Sequence, residues 1–179
     1  MGKPIHFYVR LKELPSQGVV HVSKEDKFTL EKWHRKQAVD LFNATWTYLS
    51  KEKRTKEEDD IMVNLSHASR YHWGVRVENN WDATPINLGR GDWQLSRVYA
   101  VIGDGNRAVH YGKTYLDICK KESIKDWDLA YAYEAIARGY AVAGDEKNKA
   151  KYLDLAKKAT AEVEGKEARD MLESDIKTI

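Results

Sequence analysis

Asp60, Asn64, His67 and Tyr71 follow one another at intervals of three or four residues, with Arg70 beside them. On a helix that spacing gathers the first four on one face. A carboxylate, an amide, an imidazole and a phenol so placed are the parts of a proton-transfer or metal site. In a small-molecule or metal-dependent enzyme, Asp60, His67 and Arg70 would be the working residues. His72 does not extend the set, because five residues turn a helix through roughly 140° away from His67. There is no His-Glu-x-x-His run, and the one cysteine, Cys119, joins none of the histidines, so a zinc signature is missing. No cofactor is implied. The plainer reading is a helix whose rings pack and whose histidine makes a hydrogen bond, and the cluster stands as a secondary candidate.

Any such face needs helices to carry it, and the chain is built for them. The only prolines are Pro4, Pro15 and Pro85, and long stretches without proline are what helices require. The first 25 residues differ: Ile5, Phe7, Val9 and Leu11 alternate with polar residues, Pro15 to Gly18 forms a turn, and Val19-Val20-His21-Val22 follows. That pattern predicts an extended or hairpin segment. A first helix is expected over about 26–50. A second has Glu57, Glu58, Asp59 and Asp60 in its opening turns and ends near Gly74. After a connection from Val75 to Pro85, helices are expected over about 86–102, up to 121, 126–143, up to 163, and 167–176. Gly103-Asp104-Gly105 and Gly144-Asp145 mark two of the breaks.

Composition narrows the function classes. The chain has 179 residues, with 30 Lys and Arg against 28 Asp and Glu. That length suits one domain or a short repeat array. A net charge of +2 lacks the basic excess of a duplex-binding domain. A single cysteine excludes an internal disulfide, and no apolar run approaches the ~18 residues of a membrane span. Met1 to Leu14 holds no signal-peptide core, so a cytoplasmic location is expected. Six Trp and ten Tyr against three Phe leave many rings that are apolar with a polar tip.

The sequence also matches itself at an offset of 41 residues. Arg97, Tyr99-Ala100-Val101 and Gly103-Asp104 correspond to Arg138, Tyr140-Ala141-Val142 and Gly144-Asp145. The apolar stripe Leu88, Leu95, Val98 and Ile102 recurs as Leu129, Tyr133, Ile136, Tyr140 and Ala143, with small residues (Gly89, Ser96, Ala100; Ala130, Ala137, Ala141) beside it. Two stacked helix-turn-helix units are expected from this, the logic of a helical solenoid, with an ordinary helical bundle and a chance echo at one turn as the alternative.

These residues resemble the tetratricopeptide (TPR) repeat. Leu95, Ser96, Tyr99, Gly103-Asp104 and Ala108 fall on its pattern, as do Tyr133, Ile136, Ala137, Tyr140, Gly144-Asp145 and Ala156. Trp93 stands one place after the consensus aromatic, and the period exceeds the usual 34. The chain is also similar to bacterial proteins with a stretch like Ser66-His67-Ala68-Ser69, a likeness that brings no activity with it. The TPR resemblance implies an all-α, TPR-like right-handed helical solenoid of about three antiparallel helix pairs (26–74, 86–121, 126–163) with a capping helix over 167–176, all within one domain over 26–179. It also implies a concave groove for a protein or peptide segment, lined by Arg90, Trp93, Arg97, Tyr131, Glu134 and Arg138. Guanidinium forks favour a partner of acidic character; pairing of Arg97 and Arg138 with Glu134 is the alternative. Peptide binding without chemistry is the expected function. An enzyme built on Asp60, His67 and Arg70, and RNA binding on the Arg and aromatic wall, are the rivals, the second disfavoured by charge.

Overall fold

The computed structural model describes residues 29–179, and the hairpin expected over 1–25 lies outside them. Within that range the chain is all-α: α1 (Leu30–Leu49), α2 (Lys56–Glu78), α3 (Pro85–Val101), α4 (Gly105–Lys121), α5 (Asp126–Ala143), α6 (Glu146–Ala161) and α7 (Lys166–Ile176). No described helix is long and apolar enough to cross a membrane.

Local chemistry sets the boundaries. The Thr29 hydroxyl accepts from the Lys32 amide at 3.2 Å and opens α1. Thr55 and Glu58 form a reciprocal capping box at α2, with amide contacts of 3.0 and 3.2 Å. Pro85 opens α3, where its missing N–H costs nothing. The two Gly-Asp turns are near copies. Gly103 and Gly144 take positive φ (87° and 74°), and the amides of Asp104 and Asp145 reach back to the carbonyls of Tyr99 and Tyr140 at 2.8 and 3.0 Å. Each aspartate then caps the next helix, accepting from Arg107 N and Asn148 N at 3.0 Å. The sequence match thus reappears as matching turn geometry.

Two boundaries differ from expectation. The first helix opens at Leu30, behind its Thr29 cap, rather than near 26. The second helix does not stop near Gly74 but runs on to Glu78. Gly74 keeps helical backbone, and Asn80 and Asp82, with φ of 55° and 44°, make the turn instead.

Each helix packs on its neighbours in sequence. In addition α3 touches both α1 and α5, and α5 touches α7, so the odd-numbered helices form a continuous row. The even-numbered helices meet only the helices that flank them. Leu95, Val98 and Ile136 are fully buried, as their stripes predict, and Tyr115, Leu116, Cys119, Val163 and Leu172 join the core. Between α4 and α5 the backbones nearly touch. A Cβ on Gly139 would lie 2.7 Å from the Val109 amide nitrogen and one on Gly112 3.0 Å from that of Ile136, and one on Gly105 would collide with the Ala143 backbone. The Ser96 hydroxyl, buried on α3, donates to Ala108 O of α4 at 2.8 Å and knits the third helix to this pair.

Burial, with Asp128 nearby, pushes the Cys119 thiol up to about 12. A thiolate is the reactive form. A maleimide at pH 8 is therefore expected to leave Cys119 unmodified in the native chain and to label it fully in denaturant. Stoichiometric labelling of the native chain within minutes would contradict this burial.

Candidate functional site

The α1–α3–α5–α7 row carries two charged clusters and an aromatic cleft. In the first, Arg90 of α3 grips Asp128 of α5 through Nε and Nη2, both at 3.0 Å. The Tyr115 hydroxyl donates to the same carboxylate at 2.5 Å, and the guanidinium lies 4.4 Å over the Trp127 ring. Burial and this carboxylate together push the Tyr115 phenol far above the ordinary tyrosine range. In the second cluster, Glu134 Oε1 accepts from Arg97 Nη1 at 3.3 Å and from Arg138 Nε at 2.7 Å. Asp175 of α7 adds a carboxylate, 3.0 Å from Arg97 Nη2 and 3.4 Å from the Tyr131 hydroxyl.

All six residues expected to line a groove lie on the α3–α5 face, Trp93 and Arg90 at an open cleft and Glu134 out of reach of solvent. Glu134 is fully buried and serves as a counter-ion inside the wall, not as a ligand-facing group. Burial pushes its carboxyl up while Arg138 and Arg97 pull it down. Tyr131, expected to be left over for binding, is 8% exposed, and burial pushes its phenol up to about 12. The three arginines meet acids of the chain itself, so the attraction expected for an acidic partner is largely satisfied within the fold.

What remains open is apolar. Trp93 meets Tyr131 edge to face at 5.2 Å between ring centroids and Trp46 at 5.8 Å. Phe42, Trp93, Tyr115, Trp127, Tyr131 and Met171 wall a cleft of about 320 Å³, with Arg90 at its edge. A second hollow of about 180 Å³, lined by Val39, Trp73, Asn87 and Gly91, shares Phe42 and Arg90 with it. Phe42, Trp127, Asp128, Met171 and Asp175 join the site without having been expected from the sequence. Trp127 and Asp128 were legible there, since they stand four and three residues before Tyr131 and share its face.

The secondary cluster does not converge. Asp60, Asn64 and Tyr71 are exposed. His67 Nε2 meets the Tyr99 hydroxyl at 2.8 Å, with its ring edge-on to the stacked Tyr99 and Tyr111 rings. Arg70 turns to α3 and binds Asp92 through Nε at 2.8 Å and Nη2 at 3.3 Å. Asp92 is 2% exposed, and burial raises its carboxyl despite Arg70. Among the described residues no group of three or more His, Cys, Asp or Glu side chains is placed to hold a metal ion.

A histidine pair that the sequence reading did not single out clasps α1 to α2. His34 Nδ1 and His72 Nδ1 are 2.9 Å apart, both side chains are buried, and Trp33 packs edge-on against both. Burial lowers the affinity of His72 and His67 for a proton, helped by His34 and Arg107 respectively. A histidine lowered on folding leaves stability untouched well above its ordinary 6.5 and costs stability as pH falls below it, since the unfolded chain then binds protons that the folded chain refuses. The urea midpoint is therefore expected to fall faster between pH 7.5 and pH 5 in the wild type than in a His67→Asn/His72→Asn variant. Equal slopes would show that neither imidazole is held neutral by folding.

No protein-family model, no curated protein and no solved structure matches the chain.

Proposed function

We propose that the described residues form a TPR-like solenoid whose inner face binds a peptide or protein segment. Three observations support the solenoid: the duplicated Gly-Asp turns, the pairing of helices in sequence order, and the unbroken row of α1, α3, α5 and α7. The observation that carries the binding reading is the aromatic cleft of Phe42, Trp93, Trp127, Tyr131 and Met171, which leaves about 320 Å³ of apolar space on that row. The expected partner changes accordingly. With Arg90, Arg97 and Arg138 held by Asp128, Glu134 and Asp175, a segment gains most at the cleft by seating a large aliphatic or aromatic side chain. Full burial of one such anchor supplies roughly 1.5–3 kcal/mol, and the adjoining hollow accepts a second.

Selection of displayed random peptides against the whole chain tests this. Enriched peptides are expected to carry a Trp, Phe, Leu or Met anchor and to bind Trp93→Ala about tenfold or more weakly, the equivalent of ~1.4 kcal/mol or more. No enrichment, or enrichment that Trp93→Ala and Trp127→Ala both leave intact, would exclude the cleft as the binding surface. A catalytic reading of Asp60, His67 and Arg70 finds no supporting geometry, since the three side chains have separate surroundings.

A further inference from the structure

Two arginines on the inner wall call for two carboxylates, and α5 supplies one. Glu134 is shared by Arg97 and Arg138. The second is Asp175, in the last turn of α7, which meets Arg97 and the Tyr131 hydroxyl. Arg138 Nη2 also donates to the Asp175 carbonyl at 2.9 Å and to Thr178 Oγ1 at 2.8 Å. A cation on the final carbonyls of a helix is favourable, because that end carries partial negative charge. With α7 in place, two guanidiniums face two carboxylates. Without it, one positive charge is left over beside a buried glutamate.

The rest of the attachment of α7 is slight. It is the shortest of the described helices, and it buries only Leu172 and Ile176. Met171 is 63% exposed, and a cavity of about 360 Å³ opens between α6 and α7, walled by Thr160, Ala161, Glu173 and Ile176. Helix α7 thus sits on the wall much as a ligand would, through charge pairs and two apolar side chains.

We propose that Arg97, Tyr131 and Arg138 form a dock for an acidic helix end, that α7 fills this dock within the chain, and that a partner helix with Leu, Asp and Ile at the spacing of Leu172, Asp175 and Ile176 displaces it. This rests on reading the inner face as a segment-binding surface. Displacement also clears Met171 from the aromatic cleft, so occupation of the dock and opening of the cleft are coupled.

The probe is a fluorescein-labelled peptide of residues 164–179, titrated against the whole chain by anisotropy. Tethered α7 competes at an effective concentration of order millimolar, so the wild type binds the probe poorly. Asp175→Lys loosens the resident helix without touching the wall and is expected to bind the probe roughly tenfold or more tightly. Adding Arg97→Gln is expected to erase that gain, and a probe carrying Asp175→Asn to bind no variant. Equal binding by wild type and Asp175→Lys, or a gain that survives Arg97→Gln, overturns the proposal. Should Asp175→Lys fail to fold, amide exchange in the wild type decides. Protection of α7 well below that of α3 to α5 is expected, and equal protection refutes a displaceable helix. Indole signals of Trp93 and Trp127, followed in the same titration, separate the two readings. If the peptide binds while no segment moves those signals, the dock stands, but its coupling to the cleft is refuted and the aromatic cleft falls as a binding surface.

Discussion

Gly139→Ala is expected to lower folding stability by about 3 kcal/mol, the upper part of the range for overpacked interiors. The added methyl group would stand 2.7 Å from Val109 N and 3.0 Å from the Ala108 carbonyl carbon. Those atoms are backbone, so relief requires α4 and α5 to move apart, and with them the Ser96 bond and the packing of Ile136. Gly74→Ala is the matched control. A Cβ there meets only Arg70 and Leu88 side-chain atoms at ordinary contact distances of 3.6 and 3.9 Å. Alanine exceeds glycine in helix propensity by about 1 kcal/mol, so that variant is expected to gain roughly 0.5–1 kcal/mol. Urea unfolding followed by circular dichroism reads both. A Gly139→Ala variant as stable as wild type would mean that α4 and α5 are not in backbone contact.

Asp128→Ala carries the second large effect. Its carboxylate is the acceptor for both Arg90 and the Tyr115 hydroxyl. Tyr115 is 1% exposed, whereas the Arg90 side chain is 41% exposed and reaches water. Breaking a buried pair by removing one partner costs about 3–5 kcal/mol, and the exposure of Arg90 brings the expected loss to the low end, about 3 kcal/mol. Asp128→Asn keeps an acceptor and loses the charge, so a smaller loss of about 1–2 kcal/mol is expected. Because Arg90 lies over Trp127, both variants are also expected to shift tryptophan emission. If the alanine variant loses less than about 1 kcal/mol, the Arg90–Asp128–Tyr115 cluster contributes little net stability.

The helices were legible because their signals are local. The acids Glu57 to Asp60, Pro85, and the two Gly-Asp turns each act within one turn of chain, and α5 falls on 126–143 as read. Gly74 misled because a glycine late in a periodic run marks a C-cap only when the backbone turns there, and here Asn80 and Asp82 turn instead. The wall residues were legible as a group, since Arg90, Trp93 and Arg97 share a helical face. Their partners were not. Asp128 and Asp175 lie 38 and 78 residues from the arginines they bind, and no helical period reports on pairs so far apart. Which carboxylate faces the core and which faces water is decided by how neighbouring helices stack. For the same reason His34 and His72, on different helices, gave no sign of the 2.9 Å contact that joins them.

The sequential packing of the helices has a kinetic consequence. Nearly every helix finds its partners next to it in the chain, so few contacts wait on the closure of long loops. Chains of low contact order fold in microseconds to milliseconds, and the α1–α2 pair can assemble while later helices are still being synthesised. Opening is expected to proceed as a zipper from the two ends, with the α3–α4–α5 junction last to melt, so brief exposure to protease should trim the array toward that junction.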